Sequence, residues 1–191
     1  MRKFALLLLL SQFSFAQAKE DERIIAIQKF YQQVQSAKLM KNEIESRPNQ
    51  SGEGGTTTAY TPLKAPQGAS SAANSVNDTN DTLFKVEEEF LGEMGKTQNS
   101  FFYRNQKIFF ILRIVTQYST PFMQPVEAAT KPQQTVTEYR YYFDSNKLIR
   151  WKTGQKTHSP TSPEFRTEEQ KILLAATEVY KNAVAGLSKK K

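Results

Sequence analysis

The sequence has no cysteine, a single histidine and a single tryptophan among its 191 residues. The lack of cysteine excludes disulfide bonds, cysteine-ligated zinc sites and thiol nucleophiles. The one histidine, His158, lies between Lys156 and Pro160 in a segment without a regular scaffold, and catalytic geometry requires such support. Composition therefore predicts no metal site, no cofactor and no catalytic residue, and it predicts that His158 is a solvated loop residue.

Catalytic motifs are also missing from the sequence. It contains no nucleophile elbow, phosphate-binding loop, dinucleotide fingerprint or acidic metal-binding loop. A glycosidase needs only two carboxylates, so a carboxylate-dependent hydrolase remains an alternative. The stronger expectation is a protein that binds a ligand or a partner without catalysis.

No apolar run reaches the roughly 20 residues that a bilayer span requires. The apolar run at the N-terminus follows Arg2 and Lys3 and ends in Ala16-Gln17-Ala18, which fits the small-x-small rule for signal peptide cleavage. We therefore expect a signal peptide over 1–18, cleavage after Ala18, and a periplasmic or extracellular location. An exported chain without cysteine is typical of a bacterial periplasm, although sequons at Asn77 and Asn80 leave a eukaryotic secretory path open.

The positive charge of the chain is concentrated at its two ends. Removing 1–18 leaves 24 basic and 19 acidic residues, a net charge of +5, of which three charges belong to the lysine tail at 189–191. Such a small excess on the folded part, together with export, argues against nucleic acid as the partner. An acidic protein or an anionic envelope component is the expected partner class.

Two different patterns divide the first half of the mature chain. Apolar residues three and four apart predict an N-terminal helix over 19–47, which Pro48 ends. Residues 48–82 are rich in Ser, Thr, Asn, Gly and Pro, and they offer too little apolar surface to offset the entropy of ordering. This range is predicted to be a low-complexity linker or loop that can be shortened without unfolding the domain.

The second half, 83–187, is predicted to hold an antiparallel sheet and a C-terminal helix, followed by a basic tail at 188–191. Alternation with period two indicates the strands, and the segment 107–118 is apolar on both faces, which predicts a central strand. Helical spacing from Thr167, a candidate cap, to Gly186, a candidate stop, predicts the helix.

The predicted fold class is α+β, with an antiparallel sheet of about four to five strands built as a meander of hairpins. The N-terminal and C-terminal helices are expected to pack on this sheet. The run Glu87-Glu88-Glu89 is expected on its first strand, at an edge, with only Glu87 and Glu89 on the same face. This order of elements is similar to that of cystatin-like and NTF2-like α+β domains.

One short pattern occurs twice, forty residues apart. Residues 101–108 and 141–148 each contain three aromatic residues, three polar residues, a lysine and an aliphatic residue, which predicts two β-hairpins. The pattern resembles the Tyr-Tyr-x-x-Gly-Lys-Leu unit of bacterial MORN-type repeats, with Gln106 and Asn146 where the repeat has glycine. The resemblance implies a hairpin scaffold rather than an active site.

The second hairpin provides the candidate binding residues. A three-residue turn at 144–146 would pair Tyr141 with Ile149 and gather the apolar side chains on one face. The opposite face then carries three cations and one aromatic residue, which are Arg140, Tyr142, Arg150 and Lys152. Facing cations favour an anionic partner above them. An ordinary solvated strand face is one alternative, and a small-ligand carrier with a cavity between sheet and helices is the other.

Overall fold

The structure is a computed structural model that describes residues 22–44, 54–63, 82–119 and 133–189. Its architecture is α+β, with one antiparallel sheet and a helix at each end of the described chain, as the sequence predicts. The predicted signal peptide, much of the predicted linker at 48–82 and the last two lysines lie outside the described residues. Neither described helix is long and apolar enough to cross a membrane.

The elements follow one another in a simple meander. Helix α1 covers 22–36 and precedes the strands. Each strand pairs with the next one in antiparallel fashion. The strands are β1 (Leu39–Ile44), β2 (Gly55–Pro62), β3 (Lys85–Gly92), β4 (Gly95–Arg104), β5 (Lys107–Tyr118), β6 (Gln134–Asp144), β7 (Lys147–Thr153) and β8 (Lys156–Thr157). Helix α2 (Pro163–Ser188) completes the domain.

The sheet has eight strands, so the prediction of four to five was wrong. Strand β1 lies in the range predicted to continue the N-terminal helix, and β2 lies in the range predicted to be a linker. Strand β2 contains four threonines, and threonine is favoured in strands because it is branched at Cβ. Since β2 lies between β1 and β3, the strand that carries Glu87 is not an edge strand. The prediction that 107–118 is central is confirmed, because β5 lies between β4 and β6.

The two helices cover opposite faces of the sheet, which we call the α1 face and the α2 face. Alternate strand residues supply a buried layer to each face. The layer under α1 contains Ile24, Ile27, Phe30, Val34, Phe84, Phe102, Phe109, Phe110, Tyr142 and Ile149. The layer under α2 includes Ala59, Val86, Phe101, Tyr103, Ile111, Tyr141, Phe143, Leu148, Ile172 and Ala176.

Helix α2 begins and ends differently from the sequence expectation. It starts at Pro163 rather than near Thr167, because the Ser162 side chain caps it by accepting a hydrogen bond from the Phe165 backbone N–H at 3.2 Å. Gly186 lies inside the helix rather than after it. A Cβ on Gly186 would lie 2.7 Å from Cγ2 of Ile44, so glycine allows the helix to pack closely on β1.

The repeated pattern forms two equivalent hairpins, β4–β5 and β6–β7. Each has a two-residue turn in which both residues have positive φ, 51° and 62° for Asn105 and Gln106, and 53° and 65° for Ser145 and Asn146. Each also has a bulge at the same place, with Phe109 or Ile149 as the extra residue. The expected three-residue turn at 144–146 was wrong, and Tyr141 pairs with Trp151 instead of Ile149.

Gln106 adopts a backbone conformation that costs an L-residue roughly 1–2 kcal/mol, whereas glycine adopts it freely. We therefore expect Gln106→Gly to raise the free energy of unfolding by about 0.5–1 kcal/mol, measured by urea denaturation. Lys107→Gly is the control, because Lys107 opens β5 and glycine there is expected to lower stability by a similar amount. A loss of stability in Gln106→Gly would contradict the observed turn.

Candidate functional site

A cavity of about 270 Å³ opens on the α1 face, along one side of helix α1. We call it the α1 groove. Its helix wall is formed by Gln28, Tyr31 and Gln32. Its sheet side is formed by Phe110 and Leu112 of β5 and by Glu138, Arg140 and Tyr142 of β6. Two of the four binding residues predicted from the sequence, Arg140 and Tyr142, therefore line a cavity.

The groove exists because α1 covers only one end of the long central strands. The helix is held there by an ion pair between Arg23 and Asp144 at 3.0 Å, near its first residues, and by a ring contact between Phe30 and Phe109. Strand β5 has twelve residues and β6 has eleven, so both continue past the helix. The side of α1 that faces this uncovered part of the two strands forms the wall of the groove.

Aromatic rings fix the helix wall against the sheet. The ring of Tyr31 contacts Phe102 and Phe110 edge to face, with 5.0 Å between ring centroids in both pairs. The ring of Phe110 in turn lies 5.0 Å from that of Tyr142. The Tyr31 hydroxyl oxygen accepts a hydrogen bond from Gln35 at 3.0 Å, so its own proton is available to a ligand.

The structure brings the four predicted binding residues together on the α1 face. In the strand pairing, Arg140 lies opposite Lys152 and Tyr142 lies opposite Arg150. Tyr142 differs from the expectation, because it is buried beneath α1 rather than exposed between the cations. The Arg140 guanidinium forms an ion pair with Glu138, two residues earlier on β6, and Lys152 has no ion pair within the described part of the chain.

Comparison of the two hairpins shows which residues of the second hairpin are needed for its fold and which are not. The hairpins share the turn, the bulge and the lysine that opens the returning strand. At the positions equivalent to Arg140, Arg150 and Lys152, the first hairpin has Ser100, Phe110 and Leu112. The scaffold therefore accepts small or apolar residues at all three places, and the hairpin geometry itself does not require the three cations.

Sequence reasoning missed the helix wall of the groove. Gln28 and Gln32 fall between the apolar positions that predict the N-terminal helix, and nothing in their spacing indicates that they line a cavity. One available signal was Tyr31, a large ring set among glutamines three and four residues away on the same side of the helix. Glu138, which the sequence analysis did not single out, lines the groove and pairs with Arg140.

The acidic run on β3 is divided between the two faces. Glu87 lies on the α1 face, where burial would raise its pKa, but hydrogen bonds from Lys85 and Tyr60 outweigh burial and lower the pKa below the usual value. Glu88 lies on the α2 face, where burial raises its pKa against the opposing effects of Asn99 and Arg113. Adjacent acids on opposite faces cannot act on one substrate. Glu87 and Glu89 share the α1 face, where Glu87 accepts a hydrogen bond from Tyr60 and Glu89 accepts one from Gln98.

The α1 groove has one carboxylate, that of Glu138, among its described lining residues. Glycoside hydrolysis by the usual mechanism needs two carboxyl groups flanking the bond that breaks. Within the described residues, no group of three histidine, aspartate or glutamate side chains could hold a metal ion. The polar groups of the groove can donate and accept hydrogen bonds and can pair with an anion, which is the chemistry of binding.

His158 lies in a loop after β8, as the sequence predicts, but it is partly buried rather than fully solvated. Its ring stacks on that of Trp151 with 3.5 Å between centroids, and its Nε2 lies 2.9 Å from the Thr153 hydroxyl. Burial, followed by the positive charge of Lys156, lowers the pKa of His158 below its usual value. Trp151 lies on the α2 face, so His158 and the α1 groove are on opposite sides of the sheet.

Comparisons of the chain with protein-family models, with curated proteins and with solved structures found no match. The α1 groove and the three cations of the second hairpin are therefore the features from which a function is proposed.

Proposed function

We propose that this chain is an exported, non-catalytic binding protein that holds an anionic ligand at the α1 groove, in the periplasm or outside the cell. The observation that supports this most strongly is the replacement of Ser100, Phe110 and Leu112 by cations at the equivalent positions of the second hairpin. One of these cations, Arg140, lines the groove, and Lys152 lies opposite it on the next strand.

The charges around the groove favour an anion. Arg140 and Lys152 are directly opposed across two strands, an arrangement that is destabilising unless a negative charge lies near both. Glu138 supplies one negative charge, and its ion pair with Arg140 is partly exposed, at 36% and 44% of the two side chains. The three side chains Glu138, Arg140 and Lys152 have a formal net charge of +1, which an anionic ligand would offset.

The size of the groove limits the ligand unit that it can enclose. Ligand cavities in proteins usually range from roughly 300 to 1,000 Å³, and the α1 groove, at about 270 Å³, lies just below this range. It therefore suits one small unit, either a free small molecule or a single residue of an anionic envelope polymer. These two sources share the same chemistry at the site, and they can be distinguished by comparing monomers with polymers.

The test is binding of the mature chain, from Lys19 onward, to three polyanions of different chemistry: polygalacturonate, polyphosphate and polyglutamate. We expect at least one of them to bind, and we expect the triple variant Arg140→Gln, Arg150→Gln, Lys152→Gln to weaken that binding at least about tenfold, or ~1.4 kcal/mol. Isothermal titration calorimetry measures the affinities. Binding should also weaken as salt rises, because mobile ions screen exposed charges.

A second triple variant removes the same amount of charge elsewhere. Lys107, Lys147 and Lys156 are all exposed, and the first two open the returning strands of the two hairpins. Changing these three to glutamine is expected to weaken binding less than threefold. The proposal fails if no polyanion binds, or if the two triple variants weaken binding equally.

A further inference from the structure

The floor of the α1 groove is apolar while its walls are not. Phe110 and Leu112 lie two residues apart on the same face of β5, and they form an apolar strip beneath the cavity. A strip of this kind suits the C–H face of a saturated ring. A fully apolar ligand would leave the polar groups of the walls without partners, which is unfavourable.

The helix wall offers donors and acceptors together. Gln28 and Gln32 are exposed and lie one helical turn apart, and neither side-chain amide has a hydrogen-bond partner within the described part of the chain. An amide supplies two donor hydrogens and an acceptor oxygen, and the Tyr31 hydroxyl adds a further donor. Ligand hydroxyl groups match this wall, because each of them also donates and accepts.

Glu138 distinguishes a hydroxylated ligand from a compact dianion. Its carboxylate can only accept hydrogen bonds when ionised, so ligand hydroxyl groups can donate hydrogen bonds to it. Phosphate and sulfate have few or no protons to donate near neutral pH, and they would be repelled by the Glu138 charge. A built phosphate site would present donors alone, as in bidentate arginine clusters.

The cations nevertheless call for one negative charge. Arg140 is offset by Glu138, whereas Lys152, its neighbour across the strands, is not offset by any residue of the described part. A single ligand carboxylate placed over Arg140 and Lys152 would satisfy both cations. From these observations we infer that the α1 groove binds an acidic sugar, a hydroxylated ring with one carboxylate, and this inference rests on the proposed function.

The test compares four small probes on the ¹⁵N-labelled mature chain by NMR titration: galacturonate, glucuronate, galactose and inorganic phosphate. We expect at least one of the two uronates to shift the amides of 28–32 and 138–142, with galactose at least about fivefold weaker. Phosphate is expected to leave these amides unshifted at the same concentration. An oligomer of whichever uronate binds is then titrated. Tighter binding of the oligomer indicates that the source is a polymer, and equal affinity indicates a free sugar.

Glu138→Gln provides the variant that separates the two ligand classes. It keeps an acceptor oxygen but removes the negative charge, so phosphate binding is expected to appear or to strengthen at least about fivefold. Glu89→Gln is the matched control, because Glu89 lies on the same sheet face and hydrogen-bonds Gln98 rather than a groove residue. The control should leave all four affinities within about twofold of the unmodified chain.

The outcomes separate this inference from the proposed function. If phosphate or galactose binds the unmodified chain as tightly as the uronates do, the inference of an acidic sugar ligand is overturned. The proposed function survives that result when a polyanion still depends on Arg140, Arg150 and Lys152. If neither the small probes nor the polyanions bind, both proposals fall.

Discussion

Replacing Phe102 by alanine is expected to lower the free energy of unfolding by about 3–5 kcal/mol. Phe102 is fully buried at the centre of the layer between α1 and the sheet. Its ring contacts Tyr31 on the helix and Phe109 and Phe110 on the next strand, at centroid distances of 5.0, 6.1 and 5.8 Å. Because these neighbours belong to different elements, they cannot collapse together into the space that the truncation leaves.

Urea denaturation of the chain from Lys19 onward measures the loss, and Leu174→Ala is the control. Leu174 lies on α2 with 63% of its surface exposed, so its truncation is expected to change stability by less than about 0.5 kcal/mol. Phe102→Ala should also weaken the proposed anion binding, since Tyr31 loses a ring that holds it in the groove wall. A loss of stability below about 1 kcal/mol would contradict the packing of α1 on this face.

Where the hydrophobic pattern was regular, the sequence was sufficient to predict the element and its position. Strand β5 is apolar on both faces, and the structure places it between two long strands with a helix layer on each side. The repeat at 101–108 and 141–148 correctly indicated two hairpins. Both predictions depend only on local periodicity, which a strand or a hairpin expresses within about ten residues.

The register of the second hairpin was wrong by two residues, yet the face of each cation was right. The expected pairing of Tyr141 with Ile149 became a pairing with Trp151, because a two-residue turn is combined with a bulge at Ile149. A shift of two residues preserves the alternation beyond the bulge, so Arg150 and Lys152 stay on the side of Arg140. Only the residues between turn and bulge changed sides, and Leu148 and Ile149 exchanged faces.

The α1 groove could not be predicted, because its wall depends on where a helix docks. The periodicity of α1 indicates which side is apolar, but it does not indicate which part of the sheet that side covers. The position is set by contacts between distant residues, such as the packing of the buried ring of Phe30 against that of Phe109. Gln28 and Gln32 therefore had no recognisable role until the strands beneath them were known.

Ala59→Lys is expected to lower the free energy of unfolding by more than about 3 kcal/mol, or to prevent folding altogether. Ala59 lies on β2 with none of its surface exposed, and it packs in the layer under α2 beside Val86, its partner on β3. A lysine there would place an unpaired charge in an apolar layer with no room for its side chain. Circular dichroism and urea denaturation of the purified variant measure the effect.

Thr56→Lys makes the same kind of change on the same strand, and it is expected to alter stability by less than about 0.5 kcal/mol. Thr56 is exposed, lies on the α1 face and has Glu89 as its partner on β3, so a lysine there keeps its hydration and gains an acidic neighbour. The composition of 48–82, which predicts a linker, implies that both lysines are tolerated. The structure predicts that only Thr56→Lys is tolerated, and equal stability of the two variants would mean that Gly55–Pro62 does not form a strand of the sheet.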